Sequence, residues 1–216
     1  MGLFTIVHDV LAVFGAGKFV LIIDEDRENE GDVTLGAQYV TAASINFLAT
    51  FARGLICVPM IGCRLDELRI PQMVPADGHY DAPAFTVSVD ARSGVTTGIS
   101  AHDRARTVQV LIDRETHPED LVMPGHMFPL RYREGGVLCR RGHTEAAVDL
   151  ARLAGLYPAA VICEVMNEDG TMATPGQVTE FAGRHRMAVL TIQQLIEYRH
   201  RTEVIAGVAA ATPRPR

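Results

Sequence analysis

The sequence contains no tryptophan, and aromatic residues make up only 6% of its 216 residues. Few side chains are therefore present on which the bases of a nucleic acid could stack. The formal net charge is −6, and no block of lysine and arginine occurs that would attract a phosphate backbone. These absences predict a protein that does not bind nucleic acid.

Long apolar runs are absent as well, so no segment is predicted to span a bilayer. The N-terminus lacks the basic start, apolar stretch and cleavage site of a secretory signal. The four cysteines form no C-x-x-C pair, and Cys57 and Cys163 stand in apolar, strand-like segments where buried free thiols are usual. We therefore expect a cytoplasmic protein with no membrane partner.

The composition, with 48% apolar and 21% charged residues, is that of a globular protein with a sizeable core. Periodicity predicts helices over residues 5–14, 42–53, 64–69, 101–113, 144–154, 176–186 and 192–200. Strands are predicted over residues 18–24, 55–61, 84–91, 159–166 and 188–191, while the proline-containing stretches 71–83 and 114–136 are predicted to be irregular. This pattern indicates a single layered α/β (α+β) domain over residues 1–206, a mixed β-sheet flanked by helices, with a frayed tail at 207–216. It does not reveal the strand order.

Residues 24–32 read DEDRENEGD, in which six of nine residues are acids and Arg27 is the only base. The segment directly follows a buried strand, where α/β proteins commonly place a ligand site. One interpretation is a solvated surface turn. The other is a site for Mg²⁺ or Mn²⁺, since a cation screens the repulsion among carboxylates. The spacing excludes a calcium EF-hand, because neither possible start combines the required glycine with a glutamate at the twelfth position.

Residues 139–145 read CRRGHTE and lead into a predicted helix. In a structural interpretation, Thr144 caps the helix and Glu145 occupies its first turn. In a functional one, the two arginines and the helix N-terminus bind a phosphate, and His143 supplies an imidazole to a metal held by carboxylates. A zinc deaminase is excluded, because the P-C-x-x-C partner of its signature is missing.

Other residues stand out individually. Glu164 lies inside an apolar strand, where a carboxylate is costly unless it is paired or functional, so it is a candidate acid or base. His126 lies among prolines in PGHMFPLR, where a histidine is more often incidental than catalytic. Thr96 and Thr97 in GVTTG are turn residues in one interpretation and phosphate ligands in another.

Taken together, the motifs DEDRENEGD, GVTTGIS, PGHMFPLR, GGVLCRRGHTEA and CEVMNEDGTM occur in one order along the chain. This combination resembles the 3,4-dihydroxy-2-butanone 4-phosphate synthase family over about residues 5–199. The resemblance implies a lyase that converts D-ribulose 5-phosphate to 3,4-dihydroxy-2-butanone 4-phosphate and formate, a step of riboflavin biosynthesis. It also implies a Mg²⁺ cofactor that Mn²⁺ can replace, no organic cofactor, and a homodimer with sites near the subunit interface.

The same resemblance implies roles for individual residues. Glu28 and His143 match the metal ligands, so we expect them to come together in the fold around a shared cation. His126 and Glu164 match the positions that are essential for catalysis. The substrate contacts that it implies are Arg27, Glu28, Asp32, Arg140, Arg141, Gly142, His143, Thr144 and Glu164.

Some features depart from the family pattern. Pro83 stands where a threonine usually precedes the Ala-Phe-Thr run, so the loop at 71–83 is unusual. This leaves a catalytically inactive homologue that only binds sugar phosphate as an alternative. A metal-dependent sugar-phosphate isomerase or aldolase is another, since it would use similar groups. Only about 17 residues follow Arg199, too few for the GTP cyclohydrolase II domain of many relatives. We expect either a monofunctional enzyme or a piece of a longer protein.

Overall fold

The structure, a computed structural model, describes the backbone of residues 3–74 and 82–211, and the side chains of residues 6–74 and 82–203. Its helices are α1 (Leu3–Gly15), α2 (Ala42–Phe47), α3 (Gly62–Glu67), α4 (Ala101–Ile112), α5 (His143–Leu153), α6 (Pro175–His185) and α7 (Ile192–Ala211). Its strands are β1 (Val20–Asp24), β2 (Glu30–Gly36), β3 (Cys57–Met60), β4 (Val89–Ala91), β5 (Leu121–Arg131), β6 (Ala160–Glu164) and β7 (Ala188–Thr191).

The strands form one seven-stranded sheet in the order β4-β5-β3-β6-β2-β1-β7. Strand β2 is antiparallel to both β1 and β6, so β1 and β6 run in the same direction and end at the same edge of the sheet. The pairs β1–β7 and β3–β5 are parallel, whereas β3–β6 and β4–β5 are antiparallel. The predicted mixed sheet is therefore confirmed.

Alternate strand residues face opposite layers of helices, as the two-residue period of a strand requires. On β1, Val20 and Ile22 belong to the apolar cluster that includes residues of α1, α5 and α7, whereas Leu21 and Ile23 belong to the one that includes residues of α2, α3, α4 and α6. Burial of each such side chain contributes roughly 1.5–3 kcal/mol. The result is a three-layer domain with the sheet in the middle, which confirms the predicted α/β fold class.

Two predicted elements differ from the structure at their ends. The predicted helix at 42–53 consists of α2 and a π-helical turn, Leu48–Ala52, which ends because Arg53 adopts the left-handed conformation at φ 70°. Helix α7 continues to Ala211 rather than ending at residue 200. Of the predicted tail at 207–216, residues 207–211 belong to this helix and 212–216 lie outside the described residues.

The prediction that residues 114–136 are irregular is wrong, because β5 occupies eleven of them. A proline removes only its own N–H from a strand, and the neighbours of Pro124 and Pro129 still bond. The amide of Gly125 donates to Ser88, and that of Arg131 donates to the carbonyl of Ala84, both at 3.0 Å.

Two further strand predictions were incomplete. Strand β2, which begins inside the acidic segment, was not predicted at all. Of the predicted strand at 84–91, only β4 is a regular strand, although Phe85 and Thr86 form isolated bridges. The irregular segment predicted at 71–83 lies partly outside the described residues. No helix in the described ranges is both long and apolar enough to cross a membrane.

Candidate active site

The acidic segment is the turn of the hairpin that joins β1 to β2. Asp24 ends β1 opposite Glu30, and its buried carboxylate accepts hydrogen bonds from the backbone amides of Asp26 and Arg27, each at 3.1 Å. Asn29 turns the chain in the left-handed conformation at φ 55°. These local bonds give the turn a defined shape, so it is more than a solvated run of charge.

Helix α5 begins at this edge of the sheet. Its first residue is His143, and Gly142 is the N-cap residue without a side-chain cap. The interpretation that Thr144 caps the helix is therefore wrong. The N-cap glycine offers no side-chain bond to the first amides of the helix, and the helix dipole favours a negative charge there.

Glu28 and His143, 115 residues apart in the chain, lie side by side. The Nδ1 atom of His143 is 3.0 Å from Oε2 of Glu28. Burial by itself would lower the pKa of His143, but the negative charges of Asp32 and Glu28 outweigh it and raise this pKa to about 9. The hydrogen bond from His143 in turn lowers the pKa of Glu28. The two side chains thus form an ion pair.

Asp32 lies beside this pair in the interior. Burial raises its pKa to about 7, against the lowering effect of His143 and with a further contribution from the charge of Glu164. Its Oδ1 atom is buried and has no hydrogen-bond partner among the described residues. A carboxyl group with a pKa near neutrality can both take up and release a proton, which suits acid–base chemistry.

Glu164 ends β6 directly opposite Asp32 on β2. Its Oε2 atom accepts a hydrogen bond of 2.8 Å from the backbone amide of Leu55. Gly54 packs so closely here that an added Cβ would lie 2.5 Å from both Oε2 and the carbonyl oxygen of Glu164. The backbone of residues 54 and 55 therefore fixes the position of this carboxylate.

These side chains surround one cavity of about 310 Å³. Its wall is formed by Glu28, Glu30, Asp32, Cys57, Pro83, Phe85, Leu130, Arg140, His143, Thr144, Ile162 and Glu164. Four residues predicted for the site do not line it: Arg27, His126, Arg141 and Gly142. Since Pro83 belongs to the wall, the departure from the family pattern affects the site itself.

The two arginines before α5 occupy different environments. Arg140 is buried and forms an ion pair of 2.5 Å with Glu145 in the first turn of α5. Arg141 is half-exposed and bonds to Asp26 at 2.9 Å and to Gln193 at 2.6 Å. Gly142 lets Arg140 fold back, because an added Cβ would lie 2.3 Å from Nη1 of Arg140. Arg27 contacts Glu28 and Asp24 on the outer side of the turn.

His126 lies on β5 and is held by Asp90 on β4. Its Nδ1 atom is 2.7 Å from Oδ2 of Asp90, and its backbone amide donates to Oδ1 at 2.9 Å. The side chain remains 41% exposed. Nearby, the hydroxyl of Thr96 donates to Asp103 at 2.8 Å, which favours the turn interpretation of this threonine. His126 is thus oriented, but towards solvent rather than as part of the cavity wall.

Sequence reasoning missed several residues of the site. Leu55 acts through its backbone amide, and no side-chain pattern could have indicated it. Asp90 was missed because its contact with His126 spans two strands of unknown pairing. Cys57 was predicted to be a buried free thiol, which the structure confirms, and its burial raises the pKa of the thiol. The sequence did not indicate that Cys57 also lines the cavity.

The donor atoms of the cavity fit a divalent cation. Among the described residues, no three His, Cys, Asp or Glu side chains are arranged as a closed metal site. Mg²⁺, however, commonly takes only one or two protein ligands and keeps several waters. Glu28 and His143 offer one oxygen and one nitrogen that converge, and the unpartnered Oδ1 of Asp32 can accept from a bound water.

Comparison with known proteins decides the family. The sequence pattern of 3,4-dihydroxy-2-butanone 4-phosphate synthase matches residues 8–198. The chain belongs to this family. It is 52% identical over 198 residues to the synthase of Neisseria meningitidis serogroup B, covering 91% of this chain and 54% of that one. It is 51% identical over 193 residues to the synthase of Agrobacterium fabrum, covering 89% of this chain and 91% of that one.

A solved structure of the family agrees with the fold. A crystal structure of 3,4-dihydroxy-2-butanone 4-phosphate synthase in complex with two magnesium ions superposes with a TM-score of 0.85 at 40% identity. The superposition covers 91% of this chain and 97% of that chain. The chain spans about half the length of several curated relatives that it matches.

Proposed function

We propose that this protein is a magnesium-dependent lyase that converts D-ribulose 5-phosphate to 3,4-dihydroxy-2-butanone 4-phosphate and formate in riboflavin biosynthesis. The observation that carries the proposal is the single cavity in which a Glu28–His143 pair, three further carboxylates (Glu30, Asp32 and Glu164) and Arg140 meet, in a member of this family. The four cysteines are free, which favours a cytoplasmic location.

Glu28 and His143 would hold the cation, Mg²⁺ or Mn²⁺ in its place, and no organic cofactor is needed. When bound, the cation supplies Lewis acidity that lowers the energy of the enediolate. Glu28 is ionised, as a ligand must be, since its pKa is lowered. His143 must release its proton to bind a cation. The negative charge of the neighbouring carboxylates favours replacement of the singly charged proton by a doubly charged cation.

Asp32 and Glu164 would move protons. Loss of water and release of formate both follow removal of a proton beside the ketone, so the site needs a base and an acid close together. The raised pKa of Asp32 lets it alternate between these roles near neutral pH. The amide of Leu55 holds Glu164 in place, so that its carboxylate faces the substrate at a constant distance.

The phosphate end of the substrate would lie at the N-terminus of α5. The N-cap residue of this helix is a glycine, which offers no side-chain cap, and the buried guanidinium of Arg140 lies in the same wall. Thr144 adds a hydroxyl to the wall, and Gly142 leaves room for the backbone to approach an anion. Arg27, in the acidic turn, and Arg141, just before α5, lie outside the wall and would add positive charge near the site.

His126 would complete the site from the partner subunit of a homodimer. It is oriented by Asp90, exposed and outside the cavity wall. Large apolar side chains are exposed near it: Ile99 follows Gly98, which packs against His126, and Val122 lies on the same strand. Burial of such side chains against a second copy favours association. In that position, His126 would protonate or orient a leaving oxygen.

The test is to incubate the purified protein with ribulose 5-phosphate, with and without Mg²⁺, and to measure formate. We expect formate only with the cation. An isomerase or an aldolase would consume the substrate without releasing a one-carbon acid. Binding of ribulose 5-phosphate without turnover in the presence of Mg²⁺ would instead identify an inactive homologue and overturn the proposal.

A further inference from the structure

A buried acid on α5 organises the segment that carries Arg140. We call residues 133–142, which connect β5 to α5, the Arg140 loop. Asp149 accepts a hydrogen bond of 2.9 Å from the amide of Val137 in the middle of this loop, and another of 2.9 Å from the hydroxyl of Tyr132 just before it. Asp149 is only 3% exposed, so both bonds are shielded from water.

The charge of Asp149 is balanced from the last helix. Nη1 of Arg199, on α7, donates to Oδ2 of Asp149 at 2.7 Å and to the carbonyl oxygen of Gly135 at 2.8 Å. The Arg199 side chain is 15% exposed, and its contacts with Glu203 orient the guanidinium. One nitrogen thus binds the acid and the loop together. Loss of one partner of such a buried pair leaves an uncompensated charge.

Gly136 packs closely against both members of this ion pair. A Cβ added at Gly136, whose φ is +63°, would lie 2.3 Å from the carboxylate of Asp149 and 2.5 Å from Nη1 of Arg199. The carbonyl of this glycine accepts from the amide of Arg140 at 2.9 Å. The turn that Asp149 and Arg199 hold is therefore the turn from which Arg140 starts.

A second acid of α5 holds the ends of the same loop. Glu145, one helical turn before Asp149, accepts from the amide of Arg133 at 3.2 Å and forms the ion pair with Arg140. Both acids of α5 thus bind the loop, and Asp149 is in turn bound by two residues outside α5 and the loop, Tyr132 and Arg199. Of these two, Arg199 carries the charge that balances Asp149 and also bonds to the loop backbone.

We propose that Arg199 is a positioning residue for the phosphate end of the substrate site, acting through Asp149 and the Arg140 loop. The proposal rests on the proposed function above, since it assigns the phosphate to Arg140 and the N-terminus of α5. Arg199 does not line the cavity. It links α7 to the binding wall, so that the position of the last helix determines how well the loop is ordered.

The experiment compares Arg199→Met with Arg199→Lys and with Arg201→Met as the matched control. Arg201 lies on the same helix, its side chain is 56% exposed, and its guanidinium is 4.0 Å from the carboxylate of Glu197. Amide hydrogen exchange is measured across the chain, together with the KM for ribulose 5-phosphate and the Mg²⁺ concentration for half-maximal formate release. The exchange measurement needs no activity, which separates this inference from the proposed function.

We expect Arg199→Met to speed exchange in residues 133–142 and to raise KM about tenfold or more, as loss of an outer contact typically does. The kcat and the Mg²⁺ requirement should change by no more than about twofold, because Glu28 and His143 are not displaced. The exchange rates and the KM of Arg199→Lys should lie between those of wild type and Arg199→Met, since an ammonium keeps the charge but cannot reproduce the geometry of the guanidinium. Arg201→Met should match wild type.

Unchanged exchange in residues 133–142, or an unchanged KM in an active enzyme, would overturn the inference. If Arg199→Met does not fold, the test uses Arg199→Lys instead. Amide exchange in residues 133–142 of that variant at the wild-type rate would then overturn the inference. If wild type releases no formate, the proposed function fails, and exchange alone then decides whether Arg199 orders the loop.

Discussion

Asp32 and Glu164 lie directly opposite each other on the adjacent strands β2 and β6, at the edge where α5 begins. Like charges at such a pair of positions repel, so the pair is destabilising when both side chains are ionised. Burial raises the pKa of Asp32 to about 7, so this carboxyl group can take up and release a proton near neutral pH. The arrangement places it beside the Glu164 side chain, which the amide of Leu55 holds.

The first prediction concerns Glu164. Glu164→Gln keeps the shape of the side chain but removes its basicity, so the rate of formate release at saturating substrate should fall by about 10²–10⁴-fold. Thermal unfolding should change little. Glu168→Gln is the control, since this glutamate is 87% exposed on the following turn. A near wild-type rate for Glu164→Gln would remove its catalytic assignment while leaving the family membership intact.

The second prediction concerns the cation. Glu28→Gln should raise the Mg²⁺ concentration for half-maximal formate release about tenfold or more, because a charged ligand is replaced by a neutral one. Glu25→Gln, an exposed acid in the same turn, should leave this concentration unchanged. Removal of the cation with a chelator should abolish formate release in both variants, and added Mg²⁺ should restore it. An equal Mg²⁺ requirement in the two variants would contradict the role of Glu28.

The third prediction concerns Gly54. In Gly54→Ala the new methyl group would collide with the backbone and carboxylate of Glu164, so either the strand or the carboxylate must shift. Such overpacking costs about 1–3 kcal/mol. We expect a large loss of kcat and a lower urea midpoint. Gly183→Ala on α6, where nothing lies within 4 Å of the added Cβ, should retain full activity and be slightly more stable. Full activity of Gly54→Ala would show that Glu164 tolerates displacement.

The fourth prediction tests which subunit of the proposed dimer supplies His126 to each site. His126→Ala and Glu164→Gln should each be inactive alone. If each site combines these residues from two subunits, co-expression of the two variants creates mixed dimers with one intact site, and about a quarter of wild-type activity should return. Sites contained within one subunit would give no recovery. Analytical ultracentrifugation should show that each variant is still a dimer, and a monomer would contradict the proposed assembly.

The fifth prediction concerns pH and the turn before α4. The hydroxyl and amide of Thr96 and the amide of Gly98 donate to Asp103 and hold its pKa at about 2. An aspartate in the unfolded chain titrates near pH 4, so this contribution to stability is complete above about pH 4 and is lost as the pH falls to about 2. The difference in urea midpoint between wild type and Asp103→Asn should therefore shrink across this range. A constant difference would mean that the carboxylate charge does not matter.

Much of the fold could be predicted from periodicity. The helices at α1, α4, α5 and α6 and the strands at β1, β3, β6 and β7 lie where the apolar pattern placed them, because the strands are short apolar runs, of which the fold buries β1, β3 and β6 almost completely, and the helices carry longer apolar-rich segments. Strand β5 was missed because its prolines argue locally against a strand. Pairing with β3 and β4, which local sequence does not contain, stabilises it nevertheless.

The candidate site, like the fold, could be predicted from the sequence only in part. The amino-acid types of the acidic turn and of residues 139–145 already indicated a possible cation site and a possible phosphate site. The resemblance implied that Glu28 and His143 share a cation. The metal and catalytic roles of these residues stay predictions. The sequence could not show that Arg141 turns outward to Asp26 or that Asp90 holds His126, since each contact depends on how distant segments pack.

By itself, the sequence determined most element types, the family and the kinds of side chain available for chemistry, because these follow from local periodicity and from short motifs. Only the tertiary structure decided that residues 28, 32, 140, 143 and 164 share one cavity while His126 faces away from it. The physical reason is the strand order. It places β6 beside β2 and α5 over their edge, and pairing across a sheet is a property of distant segments.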